Sequence, residues 1–168
     1  MAQFEEFEPS GECRIHAKRL GRELAMQYLF ECDLAGETPS DARFEAFMVQ
    51  AASMHNLHEN RYARKGREYA EKLIAGILER NNDIDKAILK HSENWEWDRL
   101  AFVDRNVMRI AIYEMLFVPE VPPVVSINEA VEIARDYSGE KAGNFINGVL
   151  NGVKDTLDRP AREAVKSL

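Results

Sequence analysis

The sequence predicts an all-α fold of about seven helices, and three observations carry that expectation. Nearly every long segment repeats apolar residues at i, i+3, i+4 spacing. No alternating stretch is long enough for a strand, and Gly, Pro and Asn-Asn breaks fall between the periodic runs. With 168 residues and 45% hydrophobic content, the chain is long enough for one sizeable core and too short for two catalytic domains.

Each helix has its own signals. The first, from residue 12 or 15 to 34, places Ala17, Leu20, Gly21, Leu24, Ala25, Tyr28 and Leu29 on one face, and Gly36 and Pro39 stop it. Ser40 caps a second helix to residue 53 that buries Phe44, Phe47, Met48 and Ala51. A third, over 59–80, buries Tyr62, Tyr69, Leu73, Ile74 and Ile77. Asn81 and Asn82 break the pattern before a short fourth helix carrying Ile84, Ala87, Ile88 and Leu89. The fifth spans 103–117, with Val107, Ile110, Ala111, Met115 and Leu116 inward. Pro119, Pro122 and Pro123 exclude helix. Ser126-Ile-Asn-Glu129 then reads as a capping box that opens a sixth helix to about residue 137. Gly139 separates it from a seventh over 141–157. Residues 1–13 form an acidic tail, 14–159 one helical domain and 160–168 a second tail.

Several function classes are excluded. No run of eighteen apolar residues occurs and the N-terminus is acidic, which predicts a soluble, unexported, cytoplasmic protein. Cys13 and Cys32 form no Cys-x-x-Cys pair and read as reduced thiols, so neither a disulfide framework nor a zinc cage is expected. His55 and His58 are three apart, but no third ligand stands at a metal-site spacing. Signatures for nucleophile elbows, zinc hydrolases and dinucleotide binding are missing. Gly143 to Gly148 has P-loop glycine spacing but continues with Val149-Leu150 where Lys-Ser/Thr is required. Gly143, Gly148 and Gly152 share a helix edge, which predicts close helix packing there.

Net charge is −7, yet its distribution matters more. Residues 1–12 hold four acids and no base, whereas Arg14, Lys18, Arg19 and Arg22 follow with no acid between them. Arg14, Lys18 and Arg22 recur every four residues and form a stripe, with Arg19 beside it, that can follow a phosphate backbone. A solvated helix face is the alternative. A second knot, Arg61, Arg64, Lys65 and Arg67, reads as solvated surface. Trp95 and Trp97 can stack on bases, but packing between helices is the favoured use.

Four segments together are similar to one family. Lys18-Arg19-Leu-Gly-Arg22-Glu23-Leu-Ala25-Met-Gln27-Tyr-Leu29-Phe30 resembles the arginine-rich opening of the NusB transcription antitermination family. Val103-Asp104-Arg105-Asn-Val-Met-Arg109-Ile-Ala111-Ile-Tyr113-Glu114 resembles its central helix. Val125-Ser-Ile127-Asn128-Glu129-Ala130-Val-Glu132-Ile-Ala134 and Phe145-Ile-Asn147-Gly148-Val149-Leu150 resemble its C-terminal motifs.

The resemblance implies two small packed helical bundles, about 14–80 and 82–159, and a non-enzymatic role without cofactor or metal. It implies binding of single-stranded boxA-type RNA from ribosomal RNA operons together with the ribosomal protein NusE, helping RNA polymerase resist termination. The RNA-facing residues it implies are Lys18, Arg19 and Arg22 with neighbouring Arg14, then Phe145, Asn144, Lys90 and His91. Phe30 and Asp104 fall on the NusE surface. Leu20 stands where the densest family motifs carry a base, and Asn144 where a lysine is frequent, which implies weaker RNA affinity. Two other readings compete: an RNA methyltransferase with a NusB-like domain, for which the chain leaves no room, and a self-associating helical module that binds no RNA.

Overall fold

The computed structural model describes residues 11–55, 57–93 and 95–166, with side chains from Ala17 onward. Its elements are α1 (Gly11–Ala35), α2 (Asp41–Met54), α3 (Arg61–Glu79), α4 (Asn81–His91), a 3-10 turn (Trp97–Arg99), α5 (Phe102–Phe117), α6 (Pro123–Ser138) and α7 (Glu140–Lys154). Among the described residues all regular structure is helical. None of these helices is long and apolar enough to cross a membrane. Of the expected acidic tail, residues 1–10 lie outside the described residues.

Local chemistry sets the boundaries of the early helices. Ser40 Oγ accepts from the Arg43 amide at 3.3 Å, so the predicted cap holds. The Tyr28 hydroxyl donates to the Ser40 carbonyl and accepts from its amide, both at 3.0 Å, which pins the α1–α2 turn to α1. Asn60 caps α3 through the Ala63 amide at 2.9 Å. Asn81 and Asn82 do not interrupt the chain as expected. Arg80 alone makes the turn, and both asparagines join the first turn of α4.

Packing sorts the helices into α1–α3 and α4–α7 by their main contacts, and one continuous apolar core joins the two groups. The α1–α3 crossing is close because two glycines face it. A Cβ on Gly21 would lie 2.9 Å from the Gly66 carbonyl, and one on Gly66 would lie 2.6 Å from Leu20. The α5 helix is the axis of the molecule, buried on most of its circumference and touching α1, α3, α4, α6 and α7. Phe44, Phe47, Met48 and Ala51 are buried as the spacing predicts. Leu89 and Leu116 are not, at 43% and 41% exposed, because each sits at the edge of a helical face whose centre is already filled by Ile88 and Met115.

The α6 start corrects the sequence reading. The helix begins at Pro123, whose missing N–H and fixed φ suit the first helical position. Ser126 therefore lies inside the helix, buried, with its hydroxyl unpartnered, and Glu129 faces α1 instead of closing a capping box. Gly139, at φ 97°, turns α6 into α7 in a conformation only glycine adopts readily.

Residues 160–166 of the expected C-terminal tail are tied back. The Val124 amide donates to the Ala161 carbonyl at 3.0 Å and the Val165 amide to Pro119 at 2.7 Å. Just before them, the Arg159 guanidinium donates to the carbonyls of Met115, Val118, Pro119 and Val121 and so closes the end of α5.

Candidate functional site

The basic residues of α1 do not form the expected open stripe. A step of four residues advances 400° on a helix of 3.6 residues per turn, so each repeat drifts about 40° around the axis. By Arg22 the series has rotated into the interior, and that residue is 2% exposed. Its Nε lies 3.0 Å from both carboxylate oxygens of Glu114, and its Nη2 2.9 Å from one of them. Glu114 itself is 0% exposed and also accepts from the Tyr69 hydroxyl. Burial works against the Arg22 charge, but Glu114 overcomes it and the guanidinium is held above its ordinary range. Burial first, then Glu114, pushes the Tyr69 phenol far up, so it stays a neutral donor. Arg22 thus forms a buried ion pair between α1 and α5 instead of the exposed cation that the spacing predicts.

Arg19 is also spoken for. It reaches Glu23 at 3.3 Å, Glu129 at 3.2 Å, Glu132 at 2.8 Å and Asp136 at 3.3 Å. A phosphate approaching Arg19 meets these four carboxylates as well. The side chain of Arg14 lies outside the described residues. Lys18 is half-buried, its ammonium 5.5 Å from the centre of the Tyr69 ring.

The α4–α5 connection and α7 bring residues distant in sequence together. Phe145 is partly buried on α7, and its ring lies 5.4 Å from that of Trp95, tilted by 52°. Trp95 is 49% exposed. Lys90 and Asn144 are exposed beside this pair in sequence, and His91 packs on α7, where a Cβ on Gly152 would stand 2.8 Å from its Nδ1. Gly143 is crowded by Arg135, as helix packing predicts, but a Cβ on Gly148 would meet nothing within 4 Å. Bare backbone therefore faces outward between Asn144 and Asn151. Ile146 and Val149 are core. The two tryptophans divide the roles weighed for them: Trp97 packs inward under Arg105 and Arg109, at 4.9 and 5.0 Å, while Trp95 stays open.

A third region joins the end of α1 to the start of α5. The Phe30 and Phe102 rings lie 6.4 Å apart at 70°. Asp33 accepts from Asn106 at 2.8 Å, and Arg109 grips Asp85 through two bonds of 2.8 and 2.9 Å, which fixes α5 against α1 and α4. Asp104, in the first turn of α5, has one carboxylate oxygen buried without a partner. Burial raises its pKa, and a hydrogen bond from Ser138 pulls the other way.

Known proteins share this fold. A profile described as the NusB family matches residues 19–155. The chain belongs to the NusB family. The Transcription antitermination protein NusB of Myxococcus xanthus is 35% identical over 144 residues, covering 86% of this chain and 99% of that protein. That of Bacillus cereus strain B4264 is 38% identical over 140 residues, covering 83% and 98%. T. maritima NusB superposes with a TM-score of 0.71 at 34% identity, covering 84% of this chain and 93% of that one. A solved complex of the antitermination factors NusB and NusE with dsRNA contains a chain that matches with a TM-score of 0.70 at 29% identity, over 84% and 98%. The NusB profile begins at Arg19, so Lys18 and Arg14 lie just outside the matched stretch.

Sequence reasoning missed Phe102 and Lys72 and read Lys65 as solvated surface. Phe102 carried a local signal, an aromatic at a helix start with no apolar periodicity to explain it. Lys65 and Lys72 line a groove with Lys18, and no local pattern reports a groove between two helices.

Proposed function

We propose that this chain binds single-stranded boxA-type RNA together with NusE, and that the complex helps RNA polymerase resist termination on ribosomal RNA operons. The observation that carries this reading is the Trp95–Phe145 pair, a half-open aromatic platform flanked in sequence by Lys90 and Asn144, on a fold shared with the solved NusB–NusE–dsRNA complex. A base stacked on such a platform contributes about 1–3 kcal/mol, and the bare backbone at Gly148 lets a ribose or phosphate come close. Phe30, Phe102 and Asp104 form the NusE-docking surface. We take 14–80 and 82–159 as the two bundles, the first contributing Lys18 and the second the platform.

The chain acts in the cytoplasm by binding, not by catalysis. Its buried ionisable trio of Arg22, Glu114 and Tyr69 is mutually satisfied and sealed from substrate, which supports a structural use of those groups. Filter binding to a boxA-like RNA, with and without NusE, tests the reading. RNA retention that increases with NusE is expected. Equal retention of boxA-like and scrambled RNA, unaffected by NusE, overturns it.

A further inference from the structure

One member of the basic knot at the start of α3, Lys65, faces α1. Lys65 and Lys72, two turns apart and thus about 10 Å along the helix axis, line an open groove of ≈ 310 Å³ together with Ala17 and Lys18 of α1 and with Glu68 and Tyr69. Three ammonium groups and one carboxylate leave it cationic. Its floor is rigid, because the Tyr69 hydroxyl is fixed by the buried carboxylate of Glu114 and its ring carries Lys18 at 5.5 Å. Among the described residues, no carboxylate ion pair is formed by Lys18, Lys65 or Lys72. The neighbouring Arg67, by contrast, is consumed by Glu45 and Glu71.

We propose that the α1–α3 groove is a second phosphate-binding track, in which Lys18, Lys65 and Lys72 take phosphodiester groups of the same RNA strand that uses the aromatic platform. The proposal rests on the RNA-binding reading above and extends it to α3, which the family resemblance does not implicate. The groove begins on the helix where that reading already places Lys18. It also supplies the cationic surface that Arg19 and Arg22 cannot, since carboxylates hold both. Burial, then the charges of Arg22 and Lys72, keep the Lys18 ammonium below its ordinary range, with Glu114 and Glu120 pulling the other way. A bound phosphate relieves that repulsion. The Tyr69 ring offers no base-stacking face while Lys18 covers it, so the track reads backbone and not sequence.

The test is the salt dependence of boxA-like RNA binding for the parent, Lys65→Gln/Lys72→Gln and Lys65→Arg/Lys72→Arg, with thermal unfolding as control. Single-strand binding loses a slope of about 0.7 per phosphate contact removed. Losing two contacts therefore narrows the affinity gap between parent and glutamine variant about sevenfold from 50 to 200 mM salt. The arginine variant, which keeps both charges, is expected to restore the parental slope. Parental slope and affinity in a folded glutamine variant overturn the groove alone. Failure of arginine to rescue also overturns it, since the loss is then not one of charge. If the parent binds no RNA, the functional reading falls and the groove falls with it. Tighter binding of a Glu-rich peptide than of RNA to the parent, lost in the glutamine variant, assigns the groove to an acidic protein segment and overturns the proposal.

Discussion

The indole of Trp95 lies 5.4 Å from the ring of Phe145, so one aromatic from the α4–α5 connection and one from α7 form a single surface. The next residue, Ile146, is 0% exposed. Two adjacent positions on one helix therefore differ in burial, which predicts different effects of truncation. Phe145→Ala is expected to weaken boxA-like RNA binding by about 1–3 kcal/mol, with little change in melting temperature. Ile146→Ala is expected to lower stability by about 2–5 kcal/mol. Calorimetric titration and thermal unfolding of the two variants check this. A Phe145→Ala protein destabilised as much as Ile146→Ala would make Phe145 a packing residue.

The Arg22–Glu114 pair predicts the opposite phenotype for a basic residue of α1. Arg22→Ala leaves a buried carboxylate with only Tyr69 for company, and breaking such a pair costs about 3–5 kcal/mol. Urea unfolding measures the loss. The double substitution Arg22→Met, Glu114→Leu is expected to recover most of it, because no buried charge then remains. An Arg22→Ala variant that unfolds like the parent but loses RNA would return the residue to the binding surface.

Asp104 gives a pH dependence whose sign follows from its environment. Burial raises its pKa in the folded protein above the model-compound value of 3.8, so the native state holds this proton more tightly than the unfolded chain does. The contribution of the group to stability therefore declines as pH rises from below 3.8 through its folded pKa. Asp104→Asn is expected to be at least as stable as the parent at pH 7, with the difference vanishing below about pH 4. The proposed NusE surface also predicts weaker NusE binding, since the substitution removes a charge from that surface. Unfolding curves across this range, with calorimetry against NusE, decide. A variant less stable at pH 7 than at pH 4, relative to parent, would show that the helix dipole outweighs burial.

Arg159 is the most economical of the contacts that close the molecule. Its guanidinium reaches four carbonyls at the end of α5 and in the following loop. Arg159→Ala is expected to cost about 1–3 kcal/mol and to speed hydrogen exchange of the Val124 and Val165 amides. Exchange unchanged at these two amides would make the contact incidental.

Much of this molecule is written in local patterns. Helical spacing placed all seven helices, and Ser40 named its own cap because a serine before an apolar run acts within three residues. The errors share a cause. Ser126 and Glu129 satisfied a capping rule, but Pro123 three residues earlier was the better helix start. Arg22 looked exposed because a spacing of four was taken as a fixed face, although drift carried it to Glu114 on another helix. Phe145 and Asp104 became candidates through resemblance, not through spacing. Trp95 could not be assigned to Phe145, nor Lys65 to Lys18, from sequence alone, because each pairing depends on how two helices meet.

The buried pair also sets an order of events during synthesis. Arg22 and Glu114 are 92 residues apart, and closing a loop of that size costs roughly 4 kcal/mol in chain entropy. At translation rates of about 5–20 residues per second, Glu114 is made roughly 5–20 seconds after Arg22. Until residue 114 of 168 has been made, the Arg22 guanidinium has no buried carboxylate to enter with, and desolvating it alone is prohibitive. The α1–α3 pair therefore lacks this buried ion pair until α5 arrives. The growing chain thus passes through a stage in which Arg22, sealed in the finished protein, stays open to water.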